Sequence, residues 1–165
     1  QRQMCIRDRY ETILEVIFMD NDNAKVIKEM NKFLKGIHMG GSTFKDYIER
    51  AESKELKDSL VEVTETFKRH EEAITHRIEQ LGGDANDSLG VMGIMSEFFQ
   101  KVKLLSANSD KEILDNAIEA MKVGIDNANK FIDEHSNLEN SLKSDIEGVV
   151  KDYDNSLRKL ESISL

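Results

Sequence analysis

Proline and tryptophan are absent from the 165 residues, and cysteine occurs once, at Cys5. Each absence narrows the possibilities. Proline inside a helix costs roughly 3 kcal/mol, so a chain without it is free to form long uninterrupted helices. A lone cysteine excludes an internal disulfide and a cysteine-based zinc site. No apolar run approaches the roughly 20 residues that a membrane span needs. Basic residues are outnumbered, 23 Lys and Arg against 32 Asp and Glu, for a net charge of −9. That balance repels phosphate backbones and anionic headgroups, so neither nucleic acid nor membrane is an expected partner. Phosphate loops, catalytic triads and paired-carboxylate motifs are missing too.

What is present is periodic. Charged residues make up 33% of the chain, but the 39% that are apolar recur at helical spacing, which points to a packed fold rather than disorder. A chain of this size buries about 70% of its unfolded surface, enough for one domain.

The N-terminus reads differently from the rest. Gln1 to Arg9 (QRQMCIRDR) looks like translated adapter or upstream DNA. Residues 1–18 are therefore expected to be a non-native or disordered extension, with the domain spanning 19–165. Met19 is the expected start, followed by the helix-start sequence Asp20-Asn21-Asp22-Asn23. The alternative is a genuine helix through Ile13, Leu14, Ile17 and Phe18. Arg2, Arg7 and Arg9 balance Asp8, Glu11 and Glu15, so the net charge is −9 with or without this stretch. Its apolar run is short, is broken by Glu11 and Glu15, and leads to no small-residue cleavage site, unlike a signal peptide.

Four long helices are expected, over about 23–50, 55–81, 110–134 and 137–162. In the first, Ile27, Met30, Leu34, Ile37, Gly41, Phe44 and Ile48 alternate at spacings of three and four, a heptad seam. Val26, Phe33, Gly40 and Tyr47 form a second stripe beside it. The second helix has Ser53 as N-cap, a seam of Leu56, Leu60, Val63, Phe67, His70, Ile74 and Leu81 with Ile78 on the flank, and a stop at Gly82-Gly83. The third begins at a capping box of Ser109 and Glu112, and buries Ile113, Ala117, Met121, Ile125, Ala128 and Ile132. The fourth begins at a second box, Ser136 and Glu139, and buries Leu142, Ile146, Val149, Tyr153, Leu157 and Leu160. Short connections make helices one and two, and three and four, antiparallel neighbours. The long link over 82–109, with an apolar stretch from Val91 to Leu105 fit for a short helix, reads as a crossover between the pairs. Two antiparallel hairpins joined by a long crossover is the ferritin-like four-helix bundle, an all-α fold. Two hairpins pairing across chains is the alternative.

Such bundles often hold two metal ions, using one Glu from each of two helices and Glu-x-x-His from each of the others. None of the four histidines has Glu three residues before it: His38 follows Lys35, His70 follows Phe67, His76 follows Ala73 and His135 follows Ile132. The seam positions that could carry acids hold Ile37 and Gly41 on the first helix, and Met121 and Gly124 on the third. His70 and Tyr153 are the polar seam residues left as candidates, either as a satisfied core pair or as the remnant of a metal or small-ligand site. His70 and His76 sit six apart, which turns them roughly 120° from each other on a helix, so they do not form a zinc-peptidase pair. Gly36 and Gly40 read as a site of close helix approach, and Met92, Met95, Phe98 and Phe99 as a cover for the bundle.

Asn31-Lys32-Phe33-Leu34-Lys35-Gly36, Phe67-Lys68-Arg69-His70, Leu81-Gly82-Gly83, Gly90-Val91-Met92-Gly93 and Asp152-Tyr153-Asp154 together resemble an uncharacterised bacterial family of ferritin-like four-helix bundles, over about residues 23–162. The resemblance implies a bacterial cytosolic protein, stress-related, with no established activity. Where relatives carry acidic or His residues, this chain holds Ile37, Met121 and Tyr153, and His70 alone matches. The expectation is therefore a non-enzymatic cytoplasmic bundle in structural or protein-interaction work, as a homo-oligomer or with a protein partner, without metal or cofactor. Two rivals stand beside it. One is a degenerate metal or oxidative-stress protein using His70. The other is a small-ligand binder with a pocket near Gly40, Gly41 and Gly124.

Overall fold

The computed structural model describes the backbone of residues 2–85, 109–135 and 139–165, and side chains from Asn23 onward within those ranges. Four helices run through them: α1 (Arg2–Arg50), α2 (Lys54–Gln80), α3 (Asp110–Glu134) and α4 (Asn140–Glu161), with no strand among the described residues. The expected short helix after Val91 lies outside the described residues, as does Ser136.

Local chemistry sets most of the helix ends. Ser53 caps α2 in extended conformation (φ −64°, ψ 130°), its side chain accepting from the Leu56 amide at 3.4 Å. Ser109 does the same for α3, accepting from the Glu112 amide at 3.3 Å. At the end of α2, Gly82 takes φ +80°, a conformation that only glycine adopts without strain. The Gly82 amide then bonds Glu79 O (2.9 Å) and the Gly83 amide bonds Ile78 O (3.0 Å), the paired closure of a Schellman motif.

Two helix starts differ from the sequence expectation. The backbone of α1 is already helical at Arg2 and passes through Asp20–Asn23 without a break. Asp and Asn favour a helix start only where the chain before them is not itself helical, and Ile13, Leu14, Ile17 and Phe18 continue a helical spacing. In α4, Glu139 stands at the N-cap position and makes no side-chain cap bond. It cannot also be the third helical residue that a box with Ser136 requires.

The buried faces follow the predicted seams with shifts of one position. Ile78 is fully buried and Leu81 only partly, because Ile78 continues the inward row from Ile74 whereas Leu81 is the cap residue after the last turn. In α3, Phe131 is buried and Ile125 and Ile132 are partly so, while Leu114, Ala120 and Val123 join the core. In α4 Ser156 is buried and Leu157 partly.

α1 packs on α2 and α3, and α4 packs on the same two. Cross-helix contacts give the directions. Phe33 of α1 lies 5.2 Å from Phe131 near the end of α3, while the end of α1 meets the start of α3, so those helices are antiparallel. Arg69 pairs with Asp152, and Glu62 with Lys159, which makes α2 and α4 antiparallel as well. Every adjacent pair is then antiparallel, the diagonal pairs are parallel, and α2 ends at the opposite end of the bundle from where α3 begins.

Asp110 ties the two hairpins together. As the first residue of α3, it accepts the Glu52 amide on Oδ1 and the Ser53 amide on Oδ2, both at 2.7 Å. Those amides belong to the turn between α1 and α2, so one carboxylate fixes the start of two helices. Replacing Asp110 with Ala should lower the unfolding free energy in urea by about 1–3 kcal/mol, the range for hydrogen bonds to a charged acceptor. Asp110→Asn should cost less, since its amide oxygen still accepts one bond.

Candidate functional site

Phe67 and His70 sit three apart on α2, so both face inward on one side of the helix. Asp152 and Tyr153 are neighbours on α4, and they diverge: Tyr153 points into the core at 3% exposure, and Asp152 stays at the edge. The antiparallel register brings the two pairs to the same level. His70 meets Tyr153 edge-on, with ring centroids 5.8 Å apart and planes at 84°. Tyr153 lies 4.9 Å from Phe67, Phe67 5.4 Å from Phe44, and Phe44 5.6 Å from Tyr47. A row of five rings thus crosses the bundle interior from His70 to Tyr47. The two candidate residues are brought together, but by ring contact; the Tyr153 hydroxyl has no hydrogen-bond partner among the described residues.

At the edge, Asp152 Oδ2 lies 3.0 Å from His70 Nε2 and 2.8 Å from Arg69 Nη2. The approach to His70 is an ion pair only when the imidazole is protonated, and is too bent for a well-directed hydrogen bond. Burial pushes the His70 pKa below its ordinary value; Asp152 works against this and Arg69 adds to it. Burial likewise raises the Tyr153 phenol far above its usual range, and pushes Tyr47 up to about 12. Near neutral pH the site therefore presents a neutral imidazole and a protonated phenol. A second His–carboxylate pair joins α1 to α2, with His38 Nδ1 3.4 Å from Glu71 Oε2. Among the described residues, His, Cys, Asp and Glu nowhere gather in a group of three able to hold a metal ion.

The glycines accommodate rings rather than bringing two backbones together. A Cβ built on Gly40 would fall 2.4 Å from Phe67 Cε1, so the Phe67 ring needs bare backbone on α1. A Cβ on Gly124 would stand 3.3 Å from Tyr153 Cε2. Outside these two rings, a cleft of about 320 Å³ runs between α1 and α3, with Gly36, Gly40 and Gly124 on its walls and Phe67 and Tyr153 among its lining. Gly41 does not share it. That residue lines a separate groove between α1 and α2 with His38 and Glu71, because consecutive helical residues are turned by roughly 100°. His76 is on the surface beside Glu79 and Gln80, away from His70. Met92, Met95, Phe98 and Phe99 lie outside the described residues.

Residues 25–134 match the family described as Domain of unknown function (DUF2383). The chain belongs to that family. No curated protein and no solved structure matches. The DUF2383 match covers α1 from Lys25, all of α2 and all of α3, so Gly40, Phe67, His70 and Gly124 fall inside it. Asp152 and Tyr153 lie beyond its end, on α4.

Sequence reasoning singled out His70 and Tyr153 but not Asp152 as the partner of His70. A signal existed in the charges. On α2, Arg69 and Arg77 are spaced two turns apart, and on α4 Asp145 and Asp152 are spaced likewise. The structure matches them, Arg69 to Asp152 and Arg77 to Asp145 (3.5 Å). The aromatic wall of Phe33 and Phe131 was missed because Phe131 lies one position off the expected α3 seam.

Two outcomes follow from burial. An unpartnered buried hydroxyl is destabilising, so Tyr153→Phe should raise the unfolding free energy in urea by about 1 kcal/mol; a loss instead would mean that the hydroxyl is hydrogen-bonded in solution. For His70 the folded pKa lies below the ordinary 6.5. On acidification the unfolded chain takes up the proton first, so stability is complete above pH 6.5, declines from there to the lowered folded pKa, and then levels. Urea midpoints measured between pH 7.5 and 5 should therefore fall less in His70→Asn than in the parent.

Proposed function

We propose that the chain is a non-enzymatic ferritin-like bundle that acts by association, in the bacterial cytosol that its sequence resemblance implies. What carries this reading is the closure of the bundle interior by rings. Phe44, Phe67 and Tyr153 fill the middle of the interior from three helices. Ile37 and Met121, which stand where relatives are expected to carry acidic or His side chains, are 3% and 0% exposed. Placing carboxylates there without compensating charge would cost several kcal/mol each.

The rival reading of a small-ligand binder has one observation in its favour, the cleft between α1 and α3. A pocket of about 320 Å³ is within the usual size of small-molecule sites.

The competing metal reading rests on His70 and Asp152, and iron loading separates the two. Protein incubated with iron(II) without oxygen and desalted should retain less than roughly 0.1 iron per chain by plasma mass spectrometry, since tight binding needs a full ligand set. Retention of about one or two irons per chain, abolished by His70→Ala, would overturn the association reading.

A further inference from the structure

The chain leaves α2 and enters α3 beside α1 both times. Beyond the end of α2, the Asp84 carbonyl accepts from Asn31 Nδ2 at 3.1 Å, and a Cβ on Gly83 would fall 2.5 Å from Ile27 Cγ2. Ala85 packs against the core. At the far end, Asp110 accepts the Glu52 and Ser53 amides, just past the last residue of α1. Between the levels of Asn31 and Glu52 the α1 axis rises about 32 Å. Residues 86–108, which lie outside the described residues, have to cover this distance along α1. An α-helix over 91–105 covers about 21 Å of it. Residues 86–90 and 106–108, at up to about 3.3 Å each, reach the rest.

The sequence of this link has one apolar side. Val91, Met95, Phe98, Val102 and Leu105 recur at spacings of four and three, with Met92 and Phe99 beside them. Ser96, Gln100 and Lys103 fall opposite. A helix with such a face is stable only where an apolar surface covers it. Two grooves flank α1. The one shared with α2 carries Ser42, Lys45, Thr64, Glu65, Lys68 and Glu71 on its walls. The one shared with α3 is walled by Phe33, Ile37, Val123 and Phe131. It runs from Glu29 to Gly40 on α1, about 17 Å, so it matches the apolar side of the link in both length and chemistry.

Gly36 adds a separate observation. Gly40 leaves room for Phe67 and Gly124 for Tyr153, but a Cβ on Gly36 would meet nothing within 4 Å among the described residues. Glycine weakens a helix relative to alanine. On the wall of a groove it lets another segment approach the backbone closely.

We propose that the occupant of the α1–α3 cleft is the chain's own link: residues 91–105 run parallel to α1 as a helix and lay Met95 and Phe98, flanked by Met92 and Phe99, along the Phe33–Phe131 wall over Gly36. The cleft is then an interface within the chain, and a small molecule enters it only by displacing this helix. The inference goes beyond the association reading and does not depend on it.

Hydrogen exchange followed by mass spectrometry tests this on the full chain. Peptides covering 91–105 should exchange at least about tenfold more slowly than the same segment as a free peptide. Phe98→Asp puts a charge on the apolar side of the link, and Gly36→Glu puts one on the wall of the cleft, at an exposed position where the described core is untouched. Each should return 91–105 to the free-peptide rate and leave α2 and α4 as protected as in the parent. Gln100→Asp, on the opposite side of the link, should change nothing. A fast-exchanging link in the parent, or protection that Gly36→Glu leaves intact, overturns the proposal. Location is read from p-benzoylphenylalanine placed at Phe98 and irradiated in dilute protein. Adducts within the same chain on residues 33–40 or 120–131 are expected. Adducts elsewhere in the chain, or on a second copy, overturn it.

Discussion

Phe67 lays its ring directly on the backbone of α1, at a place where a methyl group would collide with it at 2.4 Å. Much of the interior is arranged around that contact. With the ring held there, Phe44 packs on it from α1 and Tyr153 from α4, so residues of three helices meet at one level. Aromatic rings contribute large buried areas and restrict one another's orientation, which makes this level the natural determinant of the register between hairpins. His70, one turn along α2 from Phe67, is placed by the same register against Tyr153 and Asp152.

Interior and ends obey different physics. Along the helices, apolar burial is non-directional and tolerates shifts of one position, as Ile78 and Phe131 illustrate. At the ends, direction matters. Helix N-termini leave amides without intrahelical partners, and here Ser53, Ser109 and Asp110 satisfy several of them. Asp110 acts across the hairpins rather than within one, because the start of α3 lies beside the turn that opens α2. Exposed pairs such as Lys130–Glu134 and Lys143–Glu147 add little by comparison, being screened and solvated.

The row of rings leaves two phenols, Tyr47 and Tyr153, buried without hydrogen-bond partners among the described residues. Natural interiors satisfy nearly all of their buried polar groups, so an orphan marks either a tolerated cost or a function. The two tyrosines differ in surroundings. Tyr47 packs near the turn at Ala51, far from the cleft, while Tyr153 lies behind its wall.

The sequence by itself determined that the chain is helical, where α2 and α3 begin, where α2 stops, and which face of each helix turns inward. Those features depend on neighbours within a few residues: serines at Ser53 and Ser109, a glycine at Gly82 able to take positive φ, and apolar residues at intervals of three and four. It also brought His70 and Tyr153 to attention, as polar residues in apolar seams. The start of α1 was misjudged at Asn23, where a favourable residue type competes with helical spacing on its N-terminal side, and the expected box ending at Glu139 gave way to Glu139 at the N-cap position of α4. What only the tertiary structure decided depends on register between helices far apart in the chain. The pairing of His70 with Asp152, the bridging by Asp110, and the separation of Gly40 and Gly124 from Gly41 into different grooves are all of this kind. A shift of one turn between α2 and α4, or between α1 and α3, would preserve every seam and cap yet undo each of these contacts, because burial fixes which face turns inward while ring packing and directed bonds fix the level at which the faces meet.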